Sequence, residues 1–406
     1  MRGGLTAGVI LIGLGVILVI GGIVHARYEM RHAPRPQVAE KDIVRLPGDP
    51  YGVIPSQDGR WLFVSVGRAP TRGAVAVLKR DAGNIQLARV IPMTPEPAGM
   101  ALTHDGRLLI TAADTRVVFL DVARATAGAG DPLRGSIDLP GAKVGSFCVN
   151  VTPDDKLLFV SEEWAAAIAV IDLERARKTG YRNDAILGTI PVGVRPFGLA
   201  FSPDGKWLYT TSEQAAPEWN WPAECTREAS GNPEIVDPQG AVVVVDVEKA
   251  RRSPAEAVVA RVPAACTPVR ATISQEGDRL FVTARNSNAV VVFDAAKLPS
   301  DGSHARIALL PVGQSPTPMA VVDDGAKLLV GNSSRYATPH LPGTLTVLDT
   351  AKLRQGASAV LGIVHTGVFP REMSVSRGGS TVFLTNWGSD FLQVIDVKNL
   401  ALSPSH

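Results

Sequence analysis

A tight-turn motif recurs seven times along this chain of 406 residues, and its spacing constrains the fold more than any other feature. Four copies are clear: Ser56-Gln57-Asp58-Gly59, Thr103-His104-Asp105-Gly106, Thr152-Pro153-Asp154-Asp155 and Ser202-Pro203-Asp204-Gly205. Three weaker copies follow, ending at Gly277, Gly325 and Gly379. The aspartate bonds to the turn backbone, and glycine accepts the positive φ that comes next. The copies end at positions 59, 106, 155, 205, 277, 325 and 379, so the spacing is 47 to 54 residues except for one interval of 72. A period of that length with about four short strands per unit marks a β-propeller, whose blades bury both faces only by stacking on each other. The long interval marks an insertion within Ala215 to Gln239.

The strands between the turns agree. Second strands such as Trp61-Leu62-Phe63-Val64, Leu157-Leu158-Phe159-Val160 and Val382-Phe383-Leu384 are continuous apolar runs, as expected where both faces of a strand are covered. Third strands end in aspartate at Asp121, Asp172, Asp246, Asp294, Asp349 and Asp396, where the side chain caps the following turn. The seventh repeat lacks a fourth strand of its own, because the chain stops soon after Asp396. The segment Asp42 to Leu46 has that missing character, so it is expected to pair beside Val394 to Val397 and close the ring, removing an open sheet edge.

With 45% hydrophobic residues the chain can bury a large core, and its net charge of only +2 excludes the long-range field that gathers nucleic acid. Leu5 to Val24 is an uncharged run long enough to span a hydrocarbon core as a helix, although a cleaved signal peptide with a site near Val24-His25-Ala26 fits the same residues. The domain reading is residues 1–26 as anchor or signal, 27–41 as a Pro-containing tether and 42–400 as a seven-bladed all-β propeller. The basic flank after the apolar run, Arg27, Arg31, Arg35 and Lys41, argues by the positive-inside rule for a cytoplasmic body.

The stretch Arg195-Pro196-Phe197-Gly198-Leu199-Ala200-Phe201-Ser202-Pro203-Asp204-Gly205-Lys206-Trp207-Leu208-Tyr209-Thr210, with Val192-Gly193 before it, resembles the YVTN-repeat β-propellers. The chain departs from the tyrosine-asparagine signature at the end of the second strand, where only Asn332 and Asn386 keep the asparagine. The resemblance and the placement of Cys225 and Cys266 both favour export from the cytoplasm, and this overrides the charge rule: a propeller in the periplasm or outside the cell, anchored to the inner membrane by its N-terminal segment. Related seven-bladed folds serve as lactonases and as electron-transfer subunits, so a hydrolase and a docking subunit for a periplasmic redox protein are the alternatives to a binding or scaffolding role.

Chain direction sorts the loops. The Pro turns that open each blade share one rim with the loops between second and third strands, and the Asp-Gly turns share the opposite rim. Aromatic residues and arginine concentrate on the Pro-turn rim, as in a partner surface. There Arg195, Arg270, Arg285 and Arg371 could converge at the channel mouth and hold a carboxylate or phosphate in a bidentate manner, or each could pair with Glu162, Glu163, Glu213 or Glu372 between blades. Glu162, Glu213, Asn386 and Trp387 complete the candidate ligand set. Trp219 and Trp221 give the insertion an apolar tip suited to a protein partner. His340 reads as a solvated loop residue, and His104 lies in a tight turn on the other rim. The usual hydrolase, metalloprotease and phosphate-loop motifs are absent, and neither a cofactor nor a metal is expected. Cys225 in the insertion and Cys266 in the next Pro turn share a rim, and with export they are expected to form a disulfide that pins the long loop, while Cys148 is a core residue.

Overall fold

The computed structural model describes residue 34 and residues 36–68, 72–81, 84–141, 144–221, 224–226, 236–336 and 341–404. Seven antiparallel sheets follow one another along the chain, and each is one blade. Blades one to three and five to seven have four strands, and blade four carries the extra strand Glu224–Thr226. The insertion therefore forms a hairpin off the third strand of blade four, with Cys225 opposite Asp237. Blade seven is built from both ends of the ring: Ile43–Arg45 pairs antiparallel with Phe391–Asp396, Ile43 opposite Gln393 and Arg45 opposite Phe391. The expected closure is present, with its register toward the start of that strand instead of at Val394 to Val397.

The apolar runs are explained by where alternate residues go. Leu62 and Val64 pack between blades seven and one with Phe383 and Leu392, while Phe63, between them in sequence, packs between blades one and two with Leu109 and Leu120. The same alternation sends Leu158 and Val160 toward blade two and Leu157 and Phe159 toward blade four. Each of the seven junctions holds its own hydrophobic cluster. Removing one of these side chains down to alanine costs roughly 2–5 kcal/mol, because the strand is covered on both faces and cannot collapse into the gap.

Two polar devices repeat with the blades. In the tight turn of blade four, Ser202 Oγ donates to Asp204 Oδ1 at 2.5 Å and accepts from Trp207 N at 2.9 Å, while Gly205 sits at φ +70°. In the middle of the second strand, a Ser or Thr hydroxyl joins its blade to the next: Thr211 Oγ1 accepts from Gly198 N at 2.9 Å and donates to Val269 O at 2.7 Å. Ser65, Thr283 and Thr385 repeat the pattern. The aspartates that end third strands do cap the next segment, and in three blades this segment is a short α-helix: Val122–Thr126, Leu173–Thr179 and Val247–Arg252, where Asp121, Asp172 and Asp246 accept from Arg124 N, Arg175 N and Lys249 N. The repeat pattern had implied only loops there.

Cys225 and Cys266 are disulfide-bonded, with Cα atoms 5.7 Å apart. Cys266 is the last residue of the fourth strand Val258–Cys266, just ahead of the Pro turn. The bridge ties the insertion to the outer edge of its own blade. The apolar run Leu5 to Val24 and His340 lie outside the described residues, and among the described residues no helix is long and apolar enough to cross a membrane.

Candidate functional site

The first strands of the blades contact one another all round the ring and line a central channel. In blades one, four, five, six and seven, pairing with the second strand shifts register just after a proline: Pro50, Pro196, Pro268, Pro316 and Pro370. In four of them the residue before that proline is left-handed: Arg195 at φ +53°, Thr267 at +54°, Ser315 at +52° and Phe369 at +55°. Non-glycine residues pay for this conformation, and here the ring of repeated turns holds it in place. It sets Arg195 and Phe369 on the Pro-turn rim at the channel mouth.

The mouth is closed below by stacked rings and guanidinium groups. Phe147 lies between Tyr51 and Phe197, with centroids 6.2 and 5.7 Å away. Arg371 covers Tyr51 at 4.5 Å, donates to its hydroxyl at 2.9 Å, and reaches Phe197 and Phe369 at 5.5 and 5.4 Å. Burial pushes the Tyr51 phenol up to about 12 despite Arg371, so it accepts that bond as a neutral group. Arg270 covers Phe197 from below at 4.6 Å. Its guanidinium also bonds Glu372 and lies 2.8 Å from Cys148 Sγ. Thr283 and Thr385, the blade-joining hydroxyls, hold the backbone nitrogens of Arg270 and Glu372 and so aim both side chains into the channel. Beneath this layer a cavity of ≈ 230 Å³ is lined by Cys148, Arg270, Glu372, Asn150 and Ser374 and continues toward His104.

Arg195, Arg285 and Arg371 all lie near enough to act on Glu163, and Arg270 shares the Phe197 ring with Arg371, but three of the four are paired with carboxylates. Arg270 belongs to the channel layer and Arg285 is buried against Glu213, 3.0 Å away. Arg195 lies 3.9 Å from both Glu163 and Glu213 and covers Trp164 at 5.2 Å. Arg270 and Arg285 therefore pair across blades, and Arg195 lies between Glu163 of blade three and Glu213 of its own blade. Arg371 remains, and it is joined by Arg335, which the sequence reading passed over. Arg335 is half-buried over Tyr336 and Phe369, 5.3 and 5.2 Å from their centroids. Burial and the neighbouring charges of Arg285 and Arg371 lower its pKa to about 10. It follows the second strand of blade six as Arg285 follows that of blade five, so the loop class contained the signal. Glu163 stands half-buried beside this group, with its pKa raised by burial and by Glu213.

Other expected site residues sit elsewhere. Glu162 is buried on the side of its strand that faces blade two, where Leu158 and Val160 pack, and its Oε1 has no hydrogen-bond partner. Burial alone raises its pKa to about 7. Asn386 is fully buried and lies under Gly367, whereas Trp387 meets Phe369 edge-on at 5.4 Å. Trp219 and Trp221 do not form an exposed tip: they are half-buried, contact each other at 5.3 Å and pack on the junction of blades three and four, with Arg261 over Trp219 at 5.0 Å. Cys148 is buried as expected, but it lines the channel cavity. Among the described residues no group of His, Cys, Asp or Glu is placed to hold a metal.

A chain of Kuenenia stuttgartiensis hydrazine synthase has a similar structure, with a TM-score of 0.64 over 91% of this chain and 100% of that one. Identity is 18%, so this likeness shows the fold alone. No protein-family description and no curated protein matches the sequence.

Proposed function

We propose that this chain is an extracytoplasmic binding propeller of the YVTN-repeat kind, presenting the Pro-turn rim to a ligand or partner. The observation that carries the reading is the closed, aromatic and arginine-lined mouth of Tyr51, Phe197, Phe369, Arg335 and Arg371. A floor of rings under half-buried guanidinium groups is a recognition surface in chemical terms, since it offers apolar contact and directed charge together. The bridge between Cys225 and Cys266 supports an oxidising compartment, and the run Leu5 to Val24 supports tethering to the membrane. A direct test equilibrates the purified protein with the small-molecule and protein pool of its source cells and maps retained species by hydrogen exchange. Protection at residues 51, 197, 335–336, 369–371 and 387 supports the reading; a footprint on the Asp-Gly rim refutes it.

Lactone hydrolysis is the second reading. Glu163 carries it, as a carboxyl group at the mouth beside Arg195 whose pKa burial and Glu213 raise, which makes it a stronger base than an ordinary carboxylate. Lactonase activity that survives Glu163→Gln unchanged would remove Glu163 from that role.

A further inference from the structure

The charges at the mouth do not balance locally. Arg285 and Arg371 are close enough to act on Arg335 and outweigh the carboxylate of Glu213 there, while the only other carboxylate at this group, Glu163, faces Arg195, Arg285 and Arg371 together among the described residues. Glu213 is already taken by Arg285 at 3.0 Å. Among the described residues, neither Arg335 nor Arg371 has a carboxylate within salt-bridge distance, and the single hydrogen bond of the Arg371 guanidinium goes to the neutral Tyr51 hydroxyl. A guanidinium has five N–H donors, so most of those on this pair are uncommitted. Both guanidinium groups lie over the same ring, Phe369, at 5.2 and 5.4 Å, near enough for the charge of Arg371 to act on Arg335. Gathering like charges this way costs stability in the empty protein, and an oxyanion bound between them would recover it.

The surroundings narrow the ligand further. Tyr336, 63% exposed, stands beside Arg335, and Trp387 stands against Phe369, so an anion seated on the arginines would have aromatic surface next to it. We infer that the mouth binds an organic oxyanion, with its carboxylate or phosphate head on Arg335 and Arg371 and an apolar or aromatic body against Tyr336 and Trp387. The inference rests on the binding reading above and adds the class of ligand and the two residues that select it.

Isothermal titration of the full propeller with inorganic phosphate, acetate, phenyl phosphate and benzoate tests it. Phenyl phosphate or benzoate should bind about tenfold or more tightly than the matching inorganic phosphate or acetate, and the preferred pair identifies the head group. Arg335→Gln and Arg371→Gln should each weaken the better ligand about tenfold or more, whereas Arg107→Gln on the opposite rim should leave it unchanged. Melting supplies a second readout: without ligand at low salt, Arg335→Gln should melt above the wild type, because a repelling cation is gone, and phenyl phosphate or benzoate should then raise the wild type more than the variant. The inference is overturned if none of the four probes binds, if Arg335→Gln binds them as well as wild type, or if the aromatic probes have no advantage. A ligand from the source cells that protects the mouth while these outcomes occur would leave the binding reading standing and remove only the oxyanion.

Discussion

Glu162→Gln is the substitution whose effect follows most directly from the structure. Glu162 is 1% exposed, one carboxyl oxygen has no partner, and burial raises its pKa from an ordinary 4.5 to about 7. The native state therefore holds its proton over a range where the unfolded chain releases it. Stability from this group is complete below pH 4.5, declines as pH rises toward 7, and stays low above it. At about 1.4 kcal/mol per pKa unit, the whole decline amounts to about 3 kcal/mol. Glutamine has nearly the same shape and no charge, so it should lose this pH dependence. Its buried amide adds a constant cost of about 1–3 kcal/mol if the amide finds no partner. Urea unfolding of wild type and variant between pH 4.5 and 8 isolates the term, since other titrating groups cancel in the difference. That difference should move in favour of glutamine by about 3 kcal/mol across the range. A difference that stays flat with pH would refute the buried, protonated state of Glu162.

Other expectations address closure, the bridge and the blade-joining hydroxyls. A chain beginning at residue 37 should fold, whereas one beginning at 49 lacks Ile43–Arg45, exposes the edge of Phe391–Asp396 and should aggregate, as seen by light scattering. Replacing Cys225 and Cys266 with serine should lower stability only modestly but speed protease cleavage within residues 215–239, and unreduced mass spectrometry should find the bridge in the native protein. Thr211→Val keeps the shape but leaves Gly198 N and Val269 O without their partner at the junction of blades four and five, and should cost about 1–3 kcal/mol in thermal or urea unfolding.

Much of the fold was legible in one sequence because its determinants are local and repeated. The turns need Asp and Gly at set positions, and strands buried on both faces need unbroken apolar runs such as Leu157 to Val160. Seven copies allow the period to be measured, and the missing fourth strand of the last copy implies closure by the first segment. The cysteine pair was legible for a related reason, since counting blades places both residues at one rim. The capped helices after Asp121, Asp172 and Asp246 were missed because five to seven residues carry too little periodicity to distinguish a helix from a loop.

The site divides differently. The residue types of the rim could be read from the order of strands and loops, so arginine and aromatic enrichment was visible in the chain itself. Which arginines are committed was not, because pairing depends on distances across blades: Arg270 reaches Glu372 across the channel from 102 residues away, and Arg285 reaches Glu213 from the neighbouring blade. Side-chain direction was equally out of reach for Glu162, since adjacent strand residues face opposite junctions and a shift of one position separates the rim from the core. Sequence alone settles the number of blades, their closure and the chemistry gathered on the rim, for these are properties of repeated local patterns. Only the packed ring decides that Arg335 and Arg371 lie over Phe369 with no carboxylate of the described residues within salt-bridge distance, because net charge at a point is a sum over neighbours that the chain brings together only by folding.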